Sequence, residues 1–114
     1  MKFTENGFYI EKTNDQYKIG LSDKGQDEFG EVGFVNLATE EIVTTDTVLV
    51  SIEASKAVSS VPSPLAGKVV SYNETLEDNP EYLNSTDLDK NWIAVLTDVN
   101  EADFDKLADE SGLE

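Results

Sequence analysis

The chain has 114 residues, of which 24 are acidic and eight are basic, and its formal net charge is -16. That length predicts one domain over residues 1–114, and a composition of 39% hydrophobic and 28% charged residues is that of a globular protein. The excess of acids argues against nucleic acid as a partner and favours a basic protein surface. Cysteine and histidine are both absent, so disulfides, thiolate chemistry and histidine-based catalysis or zinc binding cannot be proposed.

The first residues, "MKFTENGFYIEK", contain acids and a glycine where a secretory leader needs an unbroken apolar stretch. No apolar run approaches the roughly 20 residues of a membrane-spanning helix. We therefore expect no membrane partner and a cytoplasmic protein.

Short alternating segments rich in β-branched and aromatic residues predict a mostly β fold. Turn signals separate them at Thr13–Asp15, Pro62–Pro64 and Glu77–Asn84, a spacing typical of a compact sandwich or barrel. The predicted strands are "GFYIEK" (7–12), "QYKIGLS" (16–22), "VGFVNLA" (32–38), "TVLVSIEA" (47–54), "GKVVSYNE" (67–74) and "NWIAVLTDV" (91–99).

Two segments predict short helices. Residues 22–30 begin with a Ser-Asp capping pair and end in glycine, which fits one or two helical turns. Residues 100–110 begin with an asparagine cap and contain early acids, which predicts a C-terminal helix lying on the sheet. Its apolar stripe would be formed by Ala102, Phe104, Leu107 and Ala108.

Lys56 lies in the segment "EASKA", between two apolar strand patterns that would form a hairpin. The alternating apolar positions are Val48, Val50 and Ile52 before the turn and Val58 and Val61 after it. Lys56 should then project from the turn into solvent on a rigid base. A lysine at a hairpin tip is most often a solvated charge, so position alone does not assign it a function.

The surrounding pattern resembles the H proteins of the glycine cleavage system. The family's acceptor turn, Glu-x-x-Lys-Ala followed by Ser-Pro-x-x-Gly, is matched by Glu53, Lys56, Ala57, Ser63, Pro64 and Gly67. "LEDNPEYLN" followed by Trp92 resembles a later family segment, and Ile19–Leu37 resembles an earlier one. The resemblance implies a mainly β, lipoyl/biotinyl-type barrel-sandwich hybrid, a flattened antiparallel β-barrel with short helices that include one at the C-terminus.

The resemblance also implies a function. Lys56 would carry lipoate through an amide bond, and the reacting sulfurs would come from that cofactor. A lipoate ligase would attach it, with Glu53 and Gly67 helping the ligase to recognise the acceptor; otherwise Glu53 is a solvated acid and Gly67 a hairpin glycine. Housekeeping members shuttle an aminomethyl group between glycine decarboxylase and a folate-dependent aminomethyltransferase, and dihydrolipoamide dehydrogenase reoxidises the arm.

The sequence departs from the family pattern near its start, where "NGFYIEK" replaces a His-Glu-Trp-like motif. In this it resembles diverged H-like proteins of Gram-positive bacteria, which accompany a lipoate ligase, a sirtuin-type ADP-ribosyltransferase and a macrodomain hydrolase. That likeness implies lipoylation-dependent ADP-ribosylation, with Asp27 in "GQDEFG" as the acceptor. A regulatory H-like carrier is therefore the leading interpretation, and a housekeeping H protein is the alternative.

Three other interpretations have less support. An independent enzyme would need carboxylates in an apolar setting that raises their pKa, and a structural β-module would leave Lys56 unmodified. The acids of "LEDNP" lack the Asp/Asn alternation and glycine of a calcium loop, so we expect a capped turn and no metal site there. Trp92 is predicted to lie in the core.

Overall fold

Two antiparallel sheets contain the nine strands found in residues 1–113, the part of the chain that the computed structural model describes. The strands are β1 (Lys2–Phe3), β2 (Phe8–Thr13), β3 (Gln16–Leu21), β4 (Val32–Leu37), β5 (Ile42–Val43), β6 (Val48–Ala54), β7 (Val58–Pro62), β8 (Gly67–Tyr72) and β9 (Trp92–Thr97). One sheet has the strand order β1-β2-β3-β9-β8-β5 and the other has the order β4-β6-β7.

The two sheets share one hydrophobic core. Ile19 and Leu96 of the larger sheet and Val50 and Ile52 of the smaller one are fully buried in the same cluster. Alternation along each strand sends such side chains inward and leaves their neighbours outside. The predicted mainly β architecture, a flattened barrel-sandwich, is confirmed, although the sheets do not close into a barrel.

The first predicted helix is confirmed as α1 (Asp23–Phe29). The Ser22 hydroxyl accepts a hydrogen bond from the Gly25 N–H at 3.2 Å, so it caps the first turn as its sequence position suggested. Gly30 ends the helix at φ 75°, in the left-handed region that favours glycine.

The C-terminal helix is shorter than predicted. It forms α3 (Glu101–Asp105), and the Asn100 side chain caps it by accepting from the Ala102 N–H at 3.0 Å. Phe104 is buried and Leu107 is half-buried, as predicted, but Ala102 and Ala108 are exposed. The chain leaves the helix because Phe3 and Ala108 exchange backbone hydrogen bonds of 2.8 and 3.1 Å, which competes with further helical pairing.

Two other details of the sequence interpretation were wrong. The segment predicted as a turn is helical, with α2 (Thr75–Asp78) followed by a 3-10 helix over Pro80–Asn84. Trp92 is half-buried and stands outside the core cluster, because its neighbour Ile93 takes the inward position on β9. Within residues 1–113, no helix has the length and apolar character needed to cross a bilayer.

Candidate functional site

A tight hairpin between β6 and β7 presents Lys56. Three residues, 55–57, connect the strands, and the Ala54 N–H donates to the Ala57 carbonyl at 2.9 Å across the turn. The Lys56 side chain is exposed. The predicted hairpin position of Lys56 is therefore correct.

Three hydrogen bonds hold this turn against the C-terminal end of α1. The Ser55 N–H donates to the Glu31 carbonyl and the Lys56 N–H donates to the Phe29 carbonyl, both at 2.9 Å. In return the Glu31 N–H donates to the Ser55 hydroxyl at 3.0 Å. These bonds fix the backbone just before the Lys56 Cα atom, and the Ala54–Ala57 bond fixes it just after. Lys56 therefore stands on the rigid base that the sequence predicted.

Gly30 allows this close approach. A Cβ atom at that position would lie 2.5 Å from the Ser55 hydroxyl oxygen and 3.0 Å from Cγ of Lys56. The stem of Lys56 therefore lies over Gly30, where any larger residue would collide with the turn. The positive φ of Gly30 adds a second reason for glycine.

The Lys56 ammonium reaches back to α1, where its Nζ donates to the Asp27 backbone carbonyl at 3.1 Å. This differs from the expectation of a lysine pointing straight out into solvent. Carbonyls in the last turn of a helix have no partner within the helix, and the partial negative charge there attracts a cation. The contact brings Lys56 beside Asp27 although 29 residues separate them in sequence. Asp27 is itself exposed.

Hydrogen bonds from the 3-10 helix and the residue after it hold the end of α1, next to the turn that carries Lys56. Asn84 accepts from the Val32 N–H through Oδ1 and donates to the Gly30 carbonyl through Nδ2, both at 2.8 Å. Gln26 donates to the Leu83 and Ser85 carbonyls at 2.9 and 2.7 Å. Two side-chain amides therefore fix the end of α1, and with it the turn that carries Lys56.

Comparison with known proteins assigns this arrangement to a family. The family model described as glycine cleavage H-protein matches residues 1–114. The chain belongs to the glycine cleavage H-protein family. Members are lipoyl carriers rather than catalysts, and this chain is accordingly an H-type lipoyl carrier.

Relatives carry two different names. A glycine cleavage system H protein of Listeria welshimeri is 42% identical over 106 residues, which cover 92% of this chain and 85% of the relative. A glycine cleavage system H-like protein of Staphylococcus aureus is 38% identical over 104 residues, covering 91% and 94%. A crystal structure of a glycine cleavage system H protein from Mycobacterium marinum superimposes with a TM-score of 0.73 at 21% identity, covering 84% and 81%, which supports the fold.

The two residues predicted to aid acceptor recognition lie in different sheets. Glu53 is exposed on β6, three residues before Lys56. Gly67 begins β8 in the larger sheet and pairs with Val43. A Cβ atom on Gly67 would lie 2.7 Å from the Thr97 carbonyl oxygen, so close strand packing is sufficient reason for that glycine. Recognition of either residue by a ligase stays a prediction.

At the diverged N-terminal segment, Tyr9 is a structural residue of this H-family chain. Its ring occupies the space beside Gly20, where a Cβ atom would come within 2.3 Å of the ring, and its hydroxyl donates to Asn91 Oδ1 at 2.7 Å. Burial, reinforced by nearby Glu11 and other acids, raises the pKa of Tyr9 far above its usual range. The hydroxyl thus stays a neutral hydrogen-bond donor.

One acid of "LEDNP", Glu77, has a structural role as well. Glu77 accepts from the Leu37 N–H at 3.1 Å, and Asn84 accepts from the Val32 N–H, so both satisfy backbone donors on the edge of β4 that no strand within residues 1–113 pairs with. Across residues 1–113, no group of three or more His, Cys, Asp or Glu side chains is arranged to hold a metal ion.

Sequence reasoning missed Ser55, Gly30 and Asn84 as site residues. Gly30 and Asn84 lie within the segments that resemble the family, but the local pattern there indicates only a helix end and a turn. Their function is to join segments distant in the chain, and no local periodicity reports such contacts.

Asn84→Ala should lower the free energy of unfolding by about 2–3 kcal/mol. The substitution removes two hydrogen bonds and leaves the buried Val32 N–H without its acceptor. Urea denaturation followed by tryptophan fluorescence measures the change. Asn79→Ala is the matched control, because Asn79 donates only one hydrogen bond, to the Thr75 carbonyl at 3.2 Å on the protein surface. Equal stability of the two variants would contradict the structural role of Asn84.

Proposed function

We propose that this H-type carrier bears lipoate on Nζ of Lys56 and that ADP-ribosylation of Asp27 regulates the lipoylated form. The observation that carries the proposal is the contact between the Lys56 ammonium and the Asp27 carbonyl at 3.1 Å. This short distance supports the proposal that one enzyme binds both residues on a single surface.

The geometry of Lys56 fits an attached arm. The turn backbone is fixed by hydrogen bonds while the side chain is exposed, so an acyl group added at Nζ would extend from a rigid base without disturbing the core. The lipoyl dithiolane, when attached, would supply the redox-active sulfurs that a chain without cysteine lacks. Lipoate ligase is the partner that this proposal requires.

Acylation changes the contact with Asp27. The ammonium becomes a neutral amide, so the charge-assisted hydrogen bond to the Asp27 carbonyl is lost or replaced by a weaker neutral one. The cation that stood beside Asp27 disappears at the same time. A transferase that binds the neutral arm would therefore contact the Asp27 carboxylate on the adjoining surface. No positive lysine charge would then lie beside that carboxylate.

The modification itself is a simple displacement. An Asp27 carboxylate oxygen attacks the anomeric carbon of the nicotinamide ribose of NAD and forms an ester, while the bond to the nicotinamide nitrogen breaks and nicotinamide leaves with the electron pair. A sirtuin-type ADP-ribosyltransferase would catalyse this step. A macrodomain hydrolase would restore the carboxylate by hydrolysing the ester.

The housekeeping alternative stays a prediction, in which glycine decarboxylase, aminomethyltransferase and dihydrolipoamide dehydrogenase are the partners. Relatives named H protein and H-like protein both match this chain, so their names do not separate the two functions. Loading and unloading by purified decarboxylase and aminomethyltransferase would separate them.

The regulatory function is tested with labelled NAD and the transferase. Lipoylated wild type should gain labelled ADP-ribose, and lipoylated Asp27→Asn should not. Unmodified wild type should be labelled at least tenfold more slowly, because loss of a contact of about 1.4 kcal/mol lowers affinity tenfold. Autoradiography of the purified carrier measures both effects.

Glu28→Gln is the matched control, because Glu28 is also exposed and adjoins Asp27 on α1. Lipoylated Glu28→Gln should be labelled like wild type. Equal labelling of unmodified and lipoylated wild type would refute the dependence on Lys56. Persistent labelling of Asp27→Asn would place the acceptor elsewhere.

A further inference from the structure

The C-terminal end of α1 has charges of the wrong sign for a helix end. Aligned peptide dipoles give such an end a partial negative charge, which basic residues stabilise. The last turn of α1, residues 26–29, contains instead Asp27 and Glu28 and no basic residue. With only seven residues, α1 also depends on contacts from the rest of the fold for its stability. A cation from another element would therefore stabilise this end.

Lys56 supplies that cation from the hairpin. In a continuing helix the Asp27 carbonyl would accept from the Glu31 N–H, but that N–H donates to the Ser55 hydroxyl at 3.0 Å. Nζ of Lys56 takes this place, at 3.1 Å from the Asp27 carbonyl oxygen. The Lys56 N–H also donates to the Phe29 carbonyl at 2.9 Å. One hairpin residue thus serves two of the last three carbonyls of α1.

The stem of the lysine follows the helix end to reach this carbonyl. A Cβ atom on Gly30 would lie 3.0 Å from Cγ and 3.3 Å from Cδ of Lys56, so the stem crosses directly over the Gly30 backbone. Among the ion pairs found within residues 1–113, none includes Lys56. No carboxylate therefore competes with the helix end for the ammonium.

Acylation removes what this contact depends on. An amide at Nζ keeps one N–H but has no charge, so its attraction to the negative end of α1 is weaker. The backbone bond from Lys56 to Phe29 and the bond from Glu31 to Ser55 do not involve Nζ and stay in place. The change is therefore confined to the Asp27 carbonyl and the last turn of α1.

We infer that Lys56 is an acylation-sensitive cap of α1: the free ammonium closes the C-terminal end of the helix, and acylation of Nζ loosens the last turn, which carries Asp27. The inference rests on the proposed function and gives a physical reason for its order of events. In the unmodified chain the capped turn holds Asp27 against the helix. In the lipoylated chain the loosened turn lets the Asp27 carboxylate move to meet NAD, and any contact that the transferase makes with the arm adds to this effect.

Backbone amide exchange, measured by NMR, tests the cap, because local opening sets the exchange rate. The Gly30 N–H donates to the Gln26 carbonyl at 2.9 Å across the last turn. Lipoylation of wild type should raise the exchange rates of Gly30 and Glu31 about two- to fivefold, the effect of losing a cation at a helix C-terminus. The Gln26 N–H donates to the Ser22 carbonyl at 2.8 Å in the first turn and should exchange at an unchanged rate.

Two variants separate the cap from the arm, since neither can carry lipoate. Lys56→Met keeps an apolar stem but has neither charge nor donor, so it should raise the Gly30 exchange rate by the same factor. Lys56→Arg keeps both charge and donors and should leave that rate unchanged. Lys68→Met is the matched control, because it removes the charge of an exposed lysine on β8, and it should also leave Gly30 unchanged.

Three results would overturn the cap. The first is equal exchange at Gly30 in lipoylated and unmodified wild type. The second is equal exchange at Gly30 in Lys56→Met and Lys56→Arg. The third is a rise at Gln26 as large as the rise at Gly30, because that would show opening of the whole helix rather than of its last turn.

Labelling from NAD connects the cap to regulation. With the transferase and no lipoate, Lys56→Met should gain labelled ADP-ribose about two- to fivefold faster than Lys56→Arg, because only its last turn is open. Equal labelling of the two variants, despite different exchange at Gly30, would overturn the regulatory role of the cap. If lipoylated wild type gains no label, the proposed function is refuted and that role with it, whereas the exchange rates still decide whether Lys56 caps α1.

Discussion

Lys56→Arg is expected to abolish lipoylation. The guanidinium keeps the positive charge and can still donate to the Asp27 carbonyl, but it does not form the amide that lipoate attachment requires. Incubation with lipoate ligase, ATP and lipoate, followed by intact mass measurement, should show one lipoyl group on wild type and none on the variant. The substitution lies on the surface, so we expect the free energy of unfolding to change by less than about 0.5 kcal/mol.

Lys68→Arg is the matched control for this result. Lys68 is exposed, as Lys56 is, but it lies on β8 of the larger sheet. Its variant should gain the lipoyl group as wild type does. The chain has seven other lysines that could in principle be acylated. A lipoyl mass on Lys56→Arg would show that one of them is the acceptor.

Gly25→Ala should lower the free energy of unfolding by about 3 kcal/mol or more. A Cβ atom at Gly25 would lie 2.3 Å from the Gly7 carbonyl oxygen and 2.7 Å from a methyl carbon of Leu21. Both contacts are far inside van der Waals distance, and the first is with backbone, so α1 would have to move away from the N-terminal segment. Urea denaturation measures the loss.

Gly33→Ala is the control for Gly25→Ala. The nearest atom to a Cβ at Gly33, outside its chain neighbours, is the Glu53 carbonyl oxygen at 3.9 Å, which is an ordinary contact. Its stability should stay within about 1 kcal/mol of wild type, since Gly→Ala at an unstrained position restricts the unfolded chain. If Gly25→Ala proved as stable as Gly33→Ala, the close approach of Gly7 and Gly25 would not be a constraint on this fold.

Local patterns in the sequence predicted most of the regular structure. Period-two alternation located the long strands, and the cap at Ser22 with Gly30 at the other end located α1. The same patterns failed where elements were short or the signals ambiguous. The two-residue strands β1 and β5 are too short to show a period, and the turn residues around Pro80 also suit the start of a 3-10 helix.

By itself the sequence determined the mainly β class, the family and the hairpin position of Lys56, because these depend on local periodicity and on a motif of fixed spacing. Only the tertiary structure decided what surrounds that lysine. Asp27 and Asn84 lie 29 and 28 residues from it in the chain, yet Lys56 contacts the Asp27 carbonyl directly and Asn84 holds the adjoining Gly30. Such contacts form because helix ends and strand edges leave backbone groups that need partners. Which distant side chain supplies each partner depends on how the sheets pack, and no local pattern encodes that choice.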